Sequence, residues 1–223
     1  MKILSDRILS LEESQTIAMA RKSRELIDSG IDVISLSLGE PDFNTPDFIK
    51  DAAKKAIDNN FSHYTPVPGL SSLRDAISGK FKRDNKLNYP ADQIVASTGA
   101  KQSLAQLLMA IVNPGDEIIV PAPYWVSYFQ MVKMAEGTPI VIEATVDADF
   151  KVTAEQVEKA ITSKTKAFLF STPCNPTGSV YSKNELSELV NVFEKHPNII
   201  IISDEIYEHI NFMGEHISIG QFN

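Results

Sequence analysis

The feature that most constrains the fold is an alternation, from residue 94 onward, between short apolar runs and stretches of helical periodicity. The runs have the length and apolar content of buried strands. They cover residues 94–97, 117–120, 138–142, 167–171 and 199–203. Strand, helix, strand in this order implies right-handed crossovers and a parallel sheet with helices on both faces. We therefore predict an α/β fold, with a three-layer αβα arrangement around a mostly parallel sheet.

Helix starts are predicted by a second, independent signal. Thr153 with Gln156, and Ser182 with Glu185, are spaced as capping boxes, in which each side chain satisfies the other residue's backbone N–H. Nearer the N-terminus, residues 11–29 have the apolar spacing of an amphipathic helix, and Gly30 follows as its left-handed stop. We expect this helix to belong to an N-terminal helical arm.

Composition excludes several classes of function. A formal net charge of −8 argues against nucleic-acid binding, which requires clustered basic residues. Cys174 is the single cysteine, so neither an internal disulfide nor a cysteine-based zinc site is possible, and the four histidines show no metal-ligand spacing. The N-terminus turns polar too soon for a signal peptide, and no apolar run is long enough to span a membrane. We expect a cytoplasmic protein without membrane or nucleic-acid partners.

The loops that follow the strands carry the functional signal, because the carboxyl ends of parallel strands lie at one edge of a sheet, where such folds bind ligands. Gly99, Ala100 and Lys101 open a helix after the first run, and a helix start of this kind suits a phosphate. An ordinary helix start has similar residues. Trp125 lies in a proline-framed loop after the second run, where its ring could stack on a planar ligand or pack in the core.

Polar side chains follow the last two runs. Asn175 lies between two prolines, which leaves its amide able to donate and accept, although a tight turn uses similar residues. Asp204 ends the last run, either as a ligand contact or as a cap, and Tyr207 is three residues further. Together, the four loops offer a helix start suited to a phosphate, an aromatic ring face, an amide, an acid and a phenol. That combination suits a phosphorylated, planar, nitrogen-containing ring.

With these loops, the chain resembles the fold-type I pyridoxal-phosphate enzymes, specifically the class I aminotransferases of the bacterial aspartate aminotransferase subgroup. The resemblance rests on motifs in the family's order: residues 37–43, 65–69, 99–102, 123–128, 175–178 and 203–207. It implies the N-terminal portion of such an enzyme. Residues 1–45 would form the arm and part of the small domain, and residues 46–223 an incomplete cofactor-binding large domain.

The resemblance also implies roles for individual residues. Asp204 would pair with the pyridine nitrogen of pyridoxal 5′-phosphate and keep it protonated, which makes the ring an electron sink. Asn175 and Tyr207 would hydrogen-bond the ring's phenolic oxygen, and Trp125 would stack on the ring. The helix start at Gly99, Ala100 and Lys101 would hold the phosphate.

Substrate contacts follow from the same likeness. Gly39 would offer a backbone N–H to the substrate α-carboxylate, and Lys101 would bind the distal carboxylate of aspartate or glutamate. Trp125 and Asn175 would border the substrate as well as the cofactor. Tyr64 would reach the phosphate of the other subunit, which implies a homodimer with shared sites. Ser14 and Thr16 match polar N-terminal residues of the same subgroup.

The family's catalytic groups have no assigned counterpart in the chain. The lysine that holds the cofactor as a Schiff base and the arginine for the α-carboxylate correspond to sequence beyond Asn223. We therefore assign no catalytic residue and expect this polypeptide to be inactive alone. The expected parent transfers an amino group between aspartate or glutamate and a 2-oxo acid. The alternatives are another fold-type I enzyme, either a lyase or an aromatic- or alanine-type aminotransferase, and a noncatalytic cofactor-binding fragment. A nucleotide-binding doubly wound protein is disfavoured because no G-x-G-x-x-G follows the first run.

Overall fold

The computed structural model describes residues 3–12, 15–36 and 39–222. The helices are α1 (Asp6–Leu9), α2 (Gln15–Asp28), α3 (Asp47–Asp58), α4 (Ser71–Asp84), α5 (Ala100–Ile111), α6 (Ser127–Met134), α7 (Ala154–Ala160) and α8 (Lys183–Phe193). The strands are β1 (Glu117–Ala122), β2 (Thr138–Glu143), β3 (Thr165–Ser171) and β4 (Ile200–Asp204). Short 3₁₀ turns occupy Ala91–Gln93, Val146–Ala148 and Ile219–Phe222.

The strands form one four-stranded sheet in the order β2-β1-β3-β4, and every pairing is parallel. Each strand follows a helix, so the connections are the crossovers that the alternation predicts. All carboxyl ends of the strands therefore lie at the same edge of the sheet. Asp204 is the last residue of β4, which confirms the prediction that a strand ends at this acid.

Two apolar clusters cover the two faces of the sheet. Ile118 and Val120 of β1 pack in a cluster with residues of α5 and α6, such as Leu108 and Val132. Ile119, between them in β1, packs instead in a cluster with residues of α7 and α8. Because successive side chains of a strand point to opposite faces, this division follows from the strand's period of two. The three-layer α/β arrangement is thus confirmed.

One predicted strand is absent from the sheet. The backbone of Ile94 is extended, but residues 94–97 form no backbone hydrogen-bond ladder with the described strands. The N–H of Ala96 donates instead to the carbonyl of Pro68 at 2.9 Å. The prediction was wrong because an apolar extended run becomes a strand only where a neighbouring strand accepts its backbone hydrogen bonds. Gly69 makes this contact possible: it has φ +98°, and a Cβ there would lie 2.9 Å from that of Ala96.

The helix signals were more reliable. Both capping boxes form, with Thr153 before α7 and Ser182 before α8. The N-terminal helix is shorter than predicted, since α2 covers Gln15–Asp28, and Gly30 follows it with φ +82°. No helix in the described ranges is long and apolar enough to cross a membrane.

Helix α3 packs little against the described chain and keeps its apolar side chains in solvent. Phe48 is 74% exposed and Ile57 is 76% exposed, and α3 has no buried residue. A groove of about 510 Å³ also lies beside β4, whose one sheet neighbour among the described strands is β3. Apolar faces and sheet edges of this kind favour association with other polypeptide surfaces.

Candidate functional site

Residues from the start of α5 and from the loop after β1 meet at the carboxyl edge of the sheet. The Nζ atom of Lys101, in the first turn of α5, lies 4.8 Å from the centre of the Trp125 ring. Trp125 is half-buried and packs against the cluster between the sheet and α5 and α6. The indole thus has a supported position, and a cation lies over its face.

The carboxylate of Asp204 is held from two directions. The hydroxyl of Tyr128, in the first turn of α6, donates to Oδ2 at 2.7 Å. The backbone N–H of Ile206 donates to Oδ1 at 3.2 Å. Each oxygen of an ionised carboxylate can accept more than one hydrogen bond, so Asp204 can still receive a proton donor from a ligand.

The partner of this carboxylate, Tyr128, is 1% exposed and packs edge-on against Trp125, with ring centres 5.6 Å apart. Burial raises the pKa of the Tyr128 hydroxyl well above its ordinary value, and the negative charge of Asp204 raises it further. The hydroxyl is therefore a neutral donor at physiological pH. Sequence reasoning assigned no role to Tyr128, although its place one helical turn after Trp125 was a usable signal.

The loops after β3 and β4 also meet. The side-chain amide of Asn175 donates to the Tyr207 hydroxyl at 3.4 Å, and both side chains are half-buried. The loop after β3 contacts the loop after β1 through the Cys174 thiol, which donates to the carbonyl of Pro123 at 3.4 Å. The peptide bonds before Pro123, Pro173 and Pro176 are cis. The structure therefore brings the predicted residues Asn175 and Tyr207 together at the carboxyl edge of the sheet.

The start of α5 has the properties of an anion site. Gly99 has φ +85°, and the first turn contains no acidic residue. The N–H of Thr98 is taken by the Gln102 side chain at 2.5 Å, whereas within the described chain no acceptor is found for the N–H groups of Ala100 and Lys101. Free amides at the positive end of a helix dipole suit a phosphate.

Four other predicted residues remain apart from this cluster or cannot be placed. Tyr64 is fully exposed, and Gly39 has open space around its Cα; within the described chain neither contacts the residues above. Thr16 lies in the first turn of α2. Ser14 lies outside the described residues, as do Ser37 and Leu38 of the first motif. The roles expected for these positions stay predictions.

The donor set fits pyridoxal 5′-phosphate by its chemistry. Asp204 suits a protonated ring nitrogen, the face of Trp125 suits an aromatic ring, and the amides of α5 suit the phosphate. The paired amide and phenol of Asn175 and Tyr207 suit an anionic ring oxygen. The described residues contain no group of three or more side chains placed to hold a metal ion.

Together, the fold and this arrangement define an α/β protein with polar side chains clustered at the carboxyl edge of a parallel sheet. The sequence profile of the family "Aminotransferase class I and II" matches residues 31–219, and the chain belongs to that family.

Relatives and solved structures agree with this assignment. The chain is 51% identical over 212 residues to the aspartate/prephenate aminotransferase of Cereibacter sphaeroides, covering 95% of this chain and 53% of that protein. It is 48% identical over 223 residues to the aspartate aminotransferase of Bacillus sp. YM-2, covering 100% of this chain and 57% of that protein. The crystal structure of the Thermus thermophilus aspartate aminotransferase with maleate superimposes with a TM-score of 0.96 at 41% identity, covering 99% of this chain and 58% of that one. The chain thus spans about half the length of the relatives it matches.

Proposed function

We propose that the chain supplies the noncovalent cofactor contacts of a pyridoxal-phosphate-dependent aminotransferase. The observation that carries this proposal is the position of Asp204 at the end of β4, hydrogen-bonded to Tyr128, whose ring packs against Trp125. An acid beside a supported indole face matches the needs of a protonated pyridine ring. The names of the relatives support aspartate or glutamate and a 2-oxo acid as the substrates of the whole enzyme.

Each residue would have a distinct task toward the bound cofactor. Asp204 would hold a proton at the ring nitrogen, because its carboxylate stabilises the charged N–H. Asn175 and Tyr207 would donate to the ring oxygen, and Trp125 would orient the ring and exclude water from one face. The free amides of Ala100 and Lys101 would hold the phosphate. When bound, the cofactor would supply the electron sink on which amino-group transfer depends.

Substrate recognition would involve the other predicted residues. The Lys101 amine lies over Trp125 and would attract the distal carboxylate of an acidic substrate. Gly39 would offer its N–H to the α-carboxylate. The exposed position of Tyr64 is compatible with a contact to a second copy in a homodimer.

The covalent chemistry would reside elsewhere in the whole enzyme. By the resemblance, the lysine that holds the cofactor belongs to the half of the relatives that this chain does not span. The polypeptide alone is therefore proposed to bind the cofactor without turnover. General acid and base catalysis is worth roughly 100- to 10,000-fold, so loss of the lysine should abolish measurable activity.

The direct test is binding of pyridoxamine 5′-phosphate, which cannot form an adduct with surface lysines. Trp125 is the single tryptophan of the chain, so its emission reports binding at this site. Saturable quenching by pyridoxamine 5′-phosphate supports the proposal, and its absence rejects it. A parallel assay with aspartate, 2-oxoglutarate and pyridoxal phosphate should show no turnover, and turnover would contradict the noncatalytic assignment.

A further inference from the structure

Glu205, the residue after Asp204, has a carboxylate held by three side chains. Its Oε1 accepts hydrogen bonds from the hydroxyls of Ser203 and Ser218, each at 2.8 Å. Its Oε2 lies 2.8 Å from Nε2 of His216. Because an ionised carboxylate can only accept, we assign a proton to Nε2 of His216. We refer to Ser203, Glu205, His216 and Ser218 as the Glu205 clamp.

The clamp is partly buried and borders the groove beside β4. The side chain of Glu205 is 18% exposed and that of His216 is 8% exposed. The nearby pair Lys86–Glu215 is 67% and 65% exposed, so solvent screens it. Hydrogen bonds to a partly buried carboxylate are screened less by solvent than exposed ones, so the clamp holds Glu205 more strongly than an exposed pair would.

The clamp closes the base of the loop formed by residues 206–215. Glu205 and His216 are 11 residues apart in sequence, and the intervening loop exposes Phe212 and Met213. The loop has a second anchor at Glu208, which accepts from the amine of Lys80 and from the side-chain amide of Asn85. Tyr207 lies between these two anchors in sequence, and its hydroxyl accepts from the side-chain amide of Asn175.

Asp204 and Glu205 have their partners on different sides of the strand end. Successive side chains at the end of a strand point to opposite sides. Asp204 points toward Tyr128 of α6, and Glu205 points toward residues 216–218. Tethering Glu205 on one side therefore limits rotation of the strand end and holds Asp204 on the other.

We propose that Glu205, secured by His216, is a positioning residue that aims Asp204 and Tyr207 at one bound ligand. The inference rests on the proposed function, because that ligand is the pyridoxal-phosphate ring. The hydrogen bonds of the clamp join Glu205 to Ser203, His216 and Ser218 and not to the start of α5, so the clamp should act on the ring and not on the phosphate.

The test compares variants of the 223-residue chain, with affinity for pyridoxamine 5′-phosphate measured through Trp125 emission and affinity for inorganic phosphate measured by calorimetry. His216→Leu removes the donor to Glu205, whereas His216→Gln keeps an N–H donor. The matched control is His209→Gln, because His209 belongs to the same loop and is 76% exposed, and the glutamine amide can keep its 3.5 Å contact with Glu208. Far-ultraviolet circular dichroism checks that each variant folds.

The proposal expects His216→Leu to weaken pyridoxamine 5′-phosphate binding about tenfold, the equivalent of one hydrogen bond to a charged group. His216→Gln should recover most of this loss, His209→Gln should resemble the wild type, and phosphate affinity should not change. Equal ligand affinity for His216→Leu and the wild type, or a parallel loss of phosphate affinity, overturns the role of the clamp.

If His216→Leu does not fold, Ser218→Ala replaces it, because it removes one donor and creates little space. A several-fold loss specific to pyridoxamine 5′-phosphate then supports the proposal, and no loss overturns it. A wild-type chain that fails to bind pyridoxamine 5′-phosphate rejects the proposed function and the clamp together. If the wild type binds pyridoxamine 5′-phosphate and the clamp variant binds it equally well, only the positioning role of the clamp is rejected.

Discussion

The hydroxyl of Tyr128 donates a 2.7 Å hydrogen bond to Asp204, although the two residues are 76 positions apart in sequence. This contact joins the first turn of α6 to the end of β4 and so connects two crossover units of the sheet. The ring of Tyr128 also supports Trp125. One side chain therefore braces both the acid and the aromatic surface of the candidate site.

Tyr128→Phe should lower the free energy of unfolding by about 1.5–3 kcal/mol, the usual value of a hydrogen bond to a charged group. The ring is kept, so its packing against Trp125 should remain. Urea unfolding followed by circular dichroism measures the change. The matched control is Tyr181→Phe, which removes a buried hydroxyl that accepts from the neutral N–H of Val152 at 3.0 Å. Its expected loss is about 1 kcal/mol, and a greater loss for Tyr181→Phe would contradict this ranking.

The same two tyrosines should make the free energy of unfolding depend on pH. Burial raises the pKa of both hydroxyls, and Asp204 adds to the effect at Tyr128. The native state therefore keeps protons that the unfolded chain releases above its tyrosine pKa of about 10. The stabilisation is complete below that pH and is lost as the pH rises further. The urea concentration at the unfolding midpoint should decrease as the pH rises from roughly 9 to 11. This decrease should be smaller in Tyr128→Phe. An unchanged slope in that variant would show that Tyr128 does not contribute.

Asp204→Asn should weaken binding of pyridoxamine 5′-phosphate by about tenfold or more, because an amide cannot balance the charge of a protonated ring nitrogen. Titration of Trp125 emission measures this affinity. Asp147→Asn is the control, since Asp147 is an exposed acid after β2, which is at the opposite side of the sheet from β4. Similar affinities for the two variants would remove Asp204 from the cofactor contacts.

Lys101→Met should weaken binding of succinate to the chain saturated with pyridoxamine 5′-phosphate, because the amine over Trp125 is the expected partner of a distal carboxylate. A loss of about tenfold corresponds to one charge-assisted hydrogen bond. Propionate, with a single carboxylate, should bind equally to both proteins. The control Lys164→Met changes a lysine immediately before β3, at the opposite edge of the sheet. An equal loss for both acids would assign Lys101 to the carboxylate that they share, and no loss for either would contradict a contact to the distal carboxylate.

Charged substitutions on α3 should reduce self-association of the isolated chain. Phe48 and Ile57 expose apolar side chains on a helix without buried residues. Phe48→Glu combined with Ile57→Glu should shift the chain toward monomer in light scattering, because exposed apolar surface drives association. Val146→Glu is the control, since it changes an exposed apolar side chain in a 3₁₀ turn. A monodisperse wild-type monomer would contradict the prediction.

The sequence by itself determined the local structure and the residue types of the site. Apolar runs predicted β1 to β4 to within a few residues, and two capping boxes placed the starts of α7 and α8. Asp204 was predicted at the end of a buried strand and is there. These features depend on side-chain period and on hydrogen bonds between neighbours in sequence, which can be recognised without knowledge of the fold.

Only the tertiary structure decided which distant residues meet. Residues 94–97 have a strand's composition but no neighbouring strand among the described ones, so Ala96 bonds to a loop instead. The Tyr128–Asp204 bond and the Glu205 clamp join positions that no local pattern relates. Sheet order and helix packing create these contacts, because backbone pairing and burial depend on what the rest of the chain brings alongside.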